Sequence, residues 1–262
     1  MTNQHKALKK FGQNYLTDKN ILRKIAEEVN PSDDDVLIEI GPGYGALTEF
    51  IVDKCKNLTA IEIDSRVIDD LQIRFPNLKV LNCDFLEFNI PAFFTENGKR
   101  IRVVGNIPYN LTSPILFNLI ENQEYIQDAV FLVQDEVARR INAKRGTKEY
   151  GILAVILQHF SEVKYCFKVS PNVFNPKPKV NSAVIHVKFK EEQINDPNKK
   201  LFIKTVKSCF GNRRKTLKNS LSNSIFKDVD FSNCEIDLSL RAEQLEINDF
   251  ITLTQFVSTQ LK

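Results

Sequence analysis

An α/β fold is predicted by three features of the 262-residue sequence: parallel strands alternating with helices over residues 1–190, then a small all-α domain over 191–262. Short apolar runs of strand length recur ahead of amphipathic segments with helical period. The first complete unit of this kind contains a glycine loop, Gly41-Pro42-Gly43-Tyr44-Gly45, between a strand and a helix. Beyond a polar linker at 191–199, which contains Pro197, strand signal gives way to short helical segments.

In chain order, Thr17-Asp18 predicts a cap for an amphipathic helix over Lys19–Val29. Pro31 and the three aspartates that follow predict a turn, and Val36–Ile40 a short apolar strand that enters the glycine loop. The next helix carries Leu47, Phe50 and Ile51 on one face. Residues 58–63 form a strand with Glu62 at its end, followed by a helix over 65–75. Residues 78–82 form a third strand, ending in Cys83-Asp84, and residues 101–105 a fourth, ending in Asn106. After a helix over 113–121, residues 129–134 are a fifth strand, leading into a basic helix over 135–142 and a loop at 144–148. Residues 150–159 are helical, and 163–169 pairs with 182–189 as closing antiparallel strands. The loop between those two strands is rich in proline. Past the linker come helices over 201–210 and 213–221, the second with a basic face from Arg214 and Lys218. Segments 242–245 and 249–260 complete a small helical cap.

Hydrophobic residues at 42% and charged residues at 26% set aside disordered, collagen-like and membrane classes. The polar, basic residues 1–10 lack the apolar core of a signal peptide, so a cytoplasmic protein with no membrane association is expected. Five cysteines without a Cys-x-x-Cys pair argue against a disulfide framework, and three scattered histidines give neither zinc-ligand spacing nor a catalytic dyad. His186, in an alternating strand, reads as structural. A net charge of +3 is uninformative, but its distribution is not. Lys6, Lys9 and Lys10 precede the first acid, Arg139, Arg140, Lys144, Arg145 and Lys148 form an acid-free group, and residues 201–227 hold seven cations and no acid. Three such blocks could surround one cleft; the plainer alternative is three solvated helix faces.

Four successive strands end in a polar feature: the glycine loop, Glu62, Asp84 and Asn106. At the carboxyl edge of an open sheet this repetition reads as a nucleoside pocket. An acid twenty-one residues beyond Gly41 can reach ribose hydroxyls, and Asp84 an adenine amino group. Dinucleotide sites place a third glycine where this chain has Ala46, beneath a pyrophosphate. S-adenosylmethionine has no pyrophosphate, so the methyl donor is favoured over nicotinamide or flavin. In Val103-Val104-Gly105-Asn106-Ile107-Pro108-Tyr109 an apolar strand delivers an amide, a rigid turn and an aromatic ring. Asn106 and a nearby main-chain carbonyl could accept hydrogen bonds from an exocyclic amine, with Tyr109, and Phe174 from the proline-rich loop, gripping the extruded base. The alternative for this stretch is a strand-to-helix turn with an asparagine cap and a core tyrosine.

Five stretches, Lys10-Phe11-Gly12-Gln13-Asn14-Tyr15-Leu16, Glu39-Ile40-Gly41-Pro42-Gly43, Gly105 to Tyr109, Phe174 to Val180 and Arg213-Arg214-Lys215-Thr216, occur in this order along nearly the whole chain. Together they resemble the KsgA/RsmA family of small-subunit (16S) rRNA adenine N6,N6-dimethyltransferases. The resemblance implies a Rossmann-like class I methyltransferase sheet with a helical C-terminal RNA-binding domain. It implies S-adenosylmethionine contacts by Asn14, Leu16, Gly41, Glu62, Asp84 and Asn106, and a catalytic clamp of Asn106, Ile107, Pro108, Tyr109 and Phe174. The implied reaction is dimethylation of two adjacent adenosines near the 3′ end of 16S rRNA in the immature small subunit, by a protein expected to be a monomer. RNA contacts are expected from Lys9, Lys10, Arg139, Arg140, Lys144, Arg145, Arg213, Arg214, Lys215 and Lys218. Ile107 stands where leucine is usual, and Asp135 where many relatives have lysine. Erm-type 23S rRNA methyltransferases share the pocket, and the basic 213–221 segment favours the small-subunit branch. A nucleotide-dependent oxidoreductase and a non-catalytic ribosome assembly factor are the other readings.

Overall fold

In the computed structural model, residues 13–194 and 196–260 are described, so Lys9 and Lys10 lie outside the described residues. In chain order the elements are β1 (Tyr15–Leu16), α1 (Lys19–Val29), β2 (Val36–Ile40), α2 (Thr48–Ile51), β3 (Asn57–Ile61), α3 (Ile68–Arg74), β4 (Lys79–Leu81), α4 (Ile90–Asn97), β5 (Ile101–Asn106), α5 (Thr112–Glu121), β6 (Ile126–Gln134), α6 (Asp135–Ile141), α7 (Ile152–Phe160), β7 (Ser161–Val169), β8 (Phe174–Asn175), β9 (Ser182–Phe189), α8 (Lys199–Cys209), α9 (Leu217–Leu221) and α10 (Ile247–Gln260).

Seven strands form one sheet in the order β4-β3-β2-β5-β6-β9-β7. The pairs from β4 to β6 are parallel, and β9 joins β6 antiparallel. The chain steps from β2 outward through β3 to β4, then returns to place β5 on the other side of β2. That reversal opens a crevice beyond the carboxyl ends of β2 and β5, where the glycine loop and Asn106 begin. Gly105 lets β5 approach β2 there, since a Cβ on it would lie 2.7 Å from the Ile40 carbonyl oxygen.

Alternation along the strands builds two apolar faces. Leu37, Leu58, Ala60, Val104, Val130, Leu132 and Val184 pack in one cluster with Leu22, Ile25, Ala26 and Val29 of α1. Their neighbours Ile38, Ile61, Val103, Phe131 and Ile185 are buried as well, as strands covered on both faces require. Helix α1 begins where Asp18 accepts hydrogen bonds from the Asn20 and Ile21 amides, and ends at Asn30 with φ 47°. His186 bridges Glu28 and Asp128 at 2.9 and 2.8 Å, and Arg102 pairs with Asp128 and Asp35, so the strand histidine is structural.

The chain divides into two compact units, Met1–Ala138 with Lys164–Phe189, and Arg139–Val163 with Lys190–Lys262. The division is not a single cut at residue 190, because α7 and the basic loop before it pack with the C-terminal helices. Helix α7 contributes Phe160 and His159, which meet the Phe202 ring of α8 at centroid distances of 5.7 and 4.0 Å. Phe210 stacks on Phe250 of α10 in the same unit. The helix expected over 213–221 is shorter than its periodicity suggests. Thr216 caps it by accepting from the Asn219 amide, so α9 starts at Leu217, and Arg213 and Arg214 lie in the preceding turn.

Candidate active site

Every strand end expected to carry chemistry in the first unit meets one cleft. Its polar groups include Glu62, Asp84, Asn106 and Gln13, and its apolar wall includes Ile40, Ile61, Ile63 and Ile115. Among the described residues that line it there is no lysine or arginine.

Glu62 is 4% exposed, and each carboxylate oxygen takes one backbone amide, Oε2 from Gly43 at 3.0 Å and Oε1 from Asp64 at 2.8 Å. The glycine loop is thereby tied to the end of β3. Asn82 secures the same point by donating to the Glu62 carbonyl at 2.7 Å. Burial pushes the Glu62 carboxyl above its ordinary range, opposed by the two amides. A carboxylate with about four acceptor positions retains room for hydroxyl donors. Asp84 Oδ1 accepts from the Leu86 amide, which holds the carboxylate at the cleft wall.

The glycine loop runs through positive φ at Gly41, Gly43 and Gly45. At Gly43 space is also short, for a Cβ would come within 2.8 Å of the Tyr15 ring. Tyr15 lies 5.2 Å from the Tyr44 ring and belongs to a strap formed by residues 13–17. Gln13 donates to Asp64 at 3.0 Å, and Thr17 donates to the Val173 carbonyl through both its amide and its hydroxyl. Strand β1 pairs with β8, Leu16 opposite Phe174. Asp64 itself is chelated by Arg66, which holds its carboxyl down at about 2.

Asn106 does not cap a helix. Its Nδ2 donates to the Asn14 carbonyl at 2.8 Å, leaving Oδ1 as an acceptor. The Tyr109 hydroxyl is 2.7 Å from Ser182 Oγ at the start of β9, so the ring is anchored from its far end while it lines the cleft. Ile107 is buried beside Gly105 and braces the turn.

Two expected members are elsewhere. Phe174 is 5% exposed in the apolar cluster with Leu16 and Val169 and does not line the cleft, because β-pairing turns its side chain inward. Leu16 lines a neighbouring cleft beside Glu39 and Pro42. Conversely, Gln13, Tyr15 and Ile63 line the cleft although they were not expected there, and Asp64 stands behind it as the partner of Gln13. The usable signal was Glu62-Ile63-Asp64, an apolar residue between two acids, and Ile63 is 47% exposed at the cleft.

In the second unit, Arg139, Arg140, Lys144, Arg214, Lys215 and Lys218 are exposed, as expected of phosphate contacts. Two expected RNA residues have other partners: Arg145 pairs with Glu246 at 3.1 Å and Arg213 with Glu243 at 3.0 Å. Asp135, in the first unit, accepts the Tyr165 hydroxyl at 2.7 Å, a structural use of the carboxylate.

Comparison with known proteins follows the same lines. Residues 4–259 match the family model for ribosomal RNA adenine dimethylase. The chain is 42% identical over 258 residues to ribosomal RNA small subunit methyltransferase A of Francisella tularensis subsp. novicida, covering 97% of this chain and 98% of that one. A dimethyladenosine transferase from Plasmodium falciparum superposes with a TM-score of 0.80 at 26% identity, over 94% and 98% of the two chains. The 23S rRNA methyltransferase ErmE superposes with a TM-score of 0.70 at 25% identity, over 94% and 100%.

Proposed function

The chain belongs to the ribosomal RNA adenine dimethylase family, and from that premise we propose that it methylates two adjacent adenosines near the 3′ end of 16S rRNA. Each N6 receives two methyl groups, with S-adenosylmethionine as donor. The substrate is the immature small subunit, in the cytoplasm, and the enzyme acts as a monomer. No described helix is long and apolar enough to cross a membrane.

The observation that carries this reading is the Asn106 amide, oriented by the Asn14 carbonyl beside the anchored Tyr109 ring. The residues present fit the donor: a buried carboxylate for hydroxyls at Glu62, an acceptor for an adenine amine at Asp84, and a glycine turn. Bound there, S-adenosylmethionine supplies a methyl group already carried on a sulfonium leaving group. An adenine N6 is a poor nucleophile because its lone pair is delocalised into the ring. Asn106 Oδ1, with a neighbouring carbonyl, accepts the amine hydrogens and favours a pyramidal nitrogen. Tyr109 fixes the base plane by stacking. The proton leaves after transfer to water, so no nucleophilic side chain is required.

The family match removes the oxidoreductase reading. Identity of 42% to a small-subunit enzyme against 25% to ErmE supports the small-subunit target over the 23S branch. Intact Glu62, Asp84 and Asn106 argue against a non-catalytic assembly factor. The test is transfer of labelled methyl groups to small subunits lacking the modification, with large subunits alongside. Label confined to small subunits is expected. Label in large subunits moves the protein to the Erm-type branch, and label in neither, with donor binding intact, leaves the assembly role.

A further inference from the structure

We infer that Arg213, expected from sequence to touch RNA, is instead the clamp that holds two basic loops of the second unit in one RNA-binding surface. The inference rests on reading the protein as an rRNA-binding enzyme. The Arg213 guanidinium donates through Nη2 to the carbonyls of Lys148 and Tyr150, the latter at 3.2 Å, and through Nε to Glu243 at 3.0 Å. Glu243 completes the joint, because its own carbonyl accepts the Gly146 amide at 2.8 Å. One side chain therefore links the 144–150 loop, the 213–216 turn and the 241–246 turn.

The forked donor is spent within the protein. The adjoining cations differ: Lys144, Lys148, Arg214 and Lys215 are exposed, and no hydrogen bond or ion pair holds their side chains among the described residues. Lys144 and Lys148 are about seventy residues from Arg214 in sequence, and the clamp joins their loops together with the Gly146 amide on Glu243 and the Arg145–Glu246 pair. Flexible cations on separate loops pay ordering entropy on meeting a phosphate backbone; loops already joined pay less. Arg213 is thus a positioning residue for binding, and Arg214 a phosphate contact.

The two roles give opposite signs at Glu243. On charge alone, removing a carboxylate from a basic surface strengthens RNA binding. If the carboxylate instead holds the clamp, removing it weakens binding. The geometry also separates lysine from arginine at 213, since a point charge serves a phosphate but cannot reach two carbonyls and a carboxylate at once.

The experiment measures binding of the full chain to small ribosomal subunits lacking the dimethyladenosines, across a salt series, with amide hydrogen exchange of residues 144–150 in the free protein. Arg214→Gln is expected to lower the salt slope by about one and leave exchange unchanged. Arg213→Lys and Glu243→Ala are each expected to weaken binding, on the order of fivefold or more by loss of preorganisation, and to speed exchange at Gly146. Retained binding in Arg213→Lys, or tighter binding in Glu243→Ala, overturns the inference. Wild-type chain that fails to bind small subunits overturns the rRNA reading, while unchanged exchange in both clamp variants overturns the clamp by itself.

Discussion

The Asn106 side chain is oriented by the main chain of Asn14, ninety-two positions earlier, through a single hydrogen bond of 2.8 Å. Spending Nδ2 on that carbonyl leaves the acceptor, not the donor, for an incoming amine. The strap that covers the glycine loop thereby also sets the polarity of the proposed base clamp.

Asn106→Ala removes the acceptor and is expected to lower methyl transfer by at least about a hundredfold, the scale of one lost positioned group in a water-poor site. RNA affinity should change by less than about threefold, because phosphate contacts carry most of it. Asn106→Asp also loses the bond to Asn14, since a carboxylate cannot donate to a carbonyl. Parallel single-turnover and filter-binding measurements check both, and an equal loss in the two assays opposes this division of labour.

Gly105→Ala tests the close approach of β5 to β2. The new Cβ lies 2.7 Å from the Ile40 carbonyl oxygen, a main-chain atom that cannot turn aside. A loss of about 1–3 kcal/mol in urea unfolding is expected, as for other overpacked cores. Activity should fall as well, because Asn106 follows directly.

Much of this was legible in the sequence, and the reason is local. Strand runs, the glycine loop and the polar strand ends depend on residues close in the chain, and Glu62, Asp84 and Asn106 all reach the cleft. What was hidden depends on long-range pairing. Phe174 reads as an exposed loop ring until Leu16 is seen opposite it, and Gln13 meets Asp64 across fifty-one positions. Arg213 looked helical and basic because helical period does not register a competing cap at Thr216 or a carbonyl partner at Tyr150.

Glu39 gives a pH dependence. Burial raises its carboxyl to about 7 from an ordinary 4.5, while the Thr48 hydroxyl donates to it at 2.6 Å. The folded chain then binds more protons than the unfolded chain between those values, so this group's contribution to stability falls as pH rises from about 4.5 to about 7. In Glu39→Gln, where an amide oxygen still accepts from Thr48, unfolding midpoints should lose that dependence. A slope unchanged from wild type contradicts the assignment.

His186 acts in the same direction at higher pH. Its bond to Asp128, and then that to Glu28, raise the imidazole against the opposing effect of burial. Its stabilisation is complete below the ordinary histidine value and is lost as pH rises through the folded one. His186→Gln should destabilise the protein below about pH 6 and lessen the alkaline fall. Nuclear magnetic resonance titration of the ring gives the folded value directly, and one at or below the ordinary histidine value contradicts the bridge.

The proposed chemistry is dimethylation of adenine N6 on small-subunit RNA. Its most direct measurement is nucleoside analysis of 16S rRNA after reaction of unmodified small subunits with the purified protein and S-adenosylmethionine. Two N6,N6-dimethyladenosines per RNA, adjacent near the 3′ end and absent with Asn106→Ala, are expected. Methyl groups on another atom or another nucleoside, or the same yield from Asn106→Ala, would contradict it.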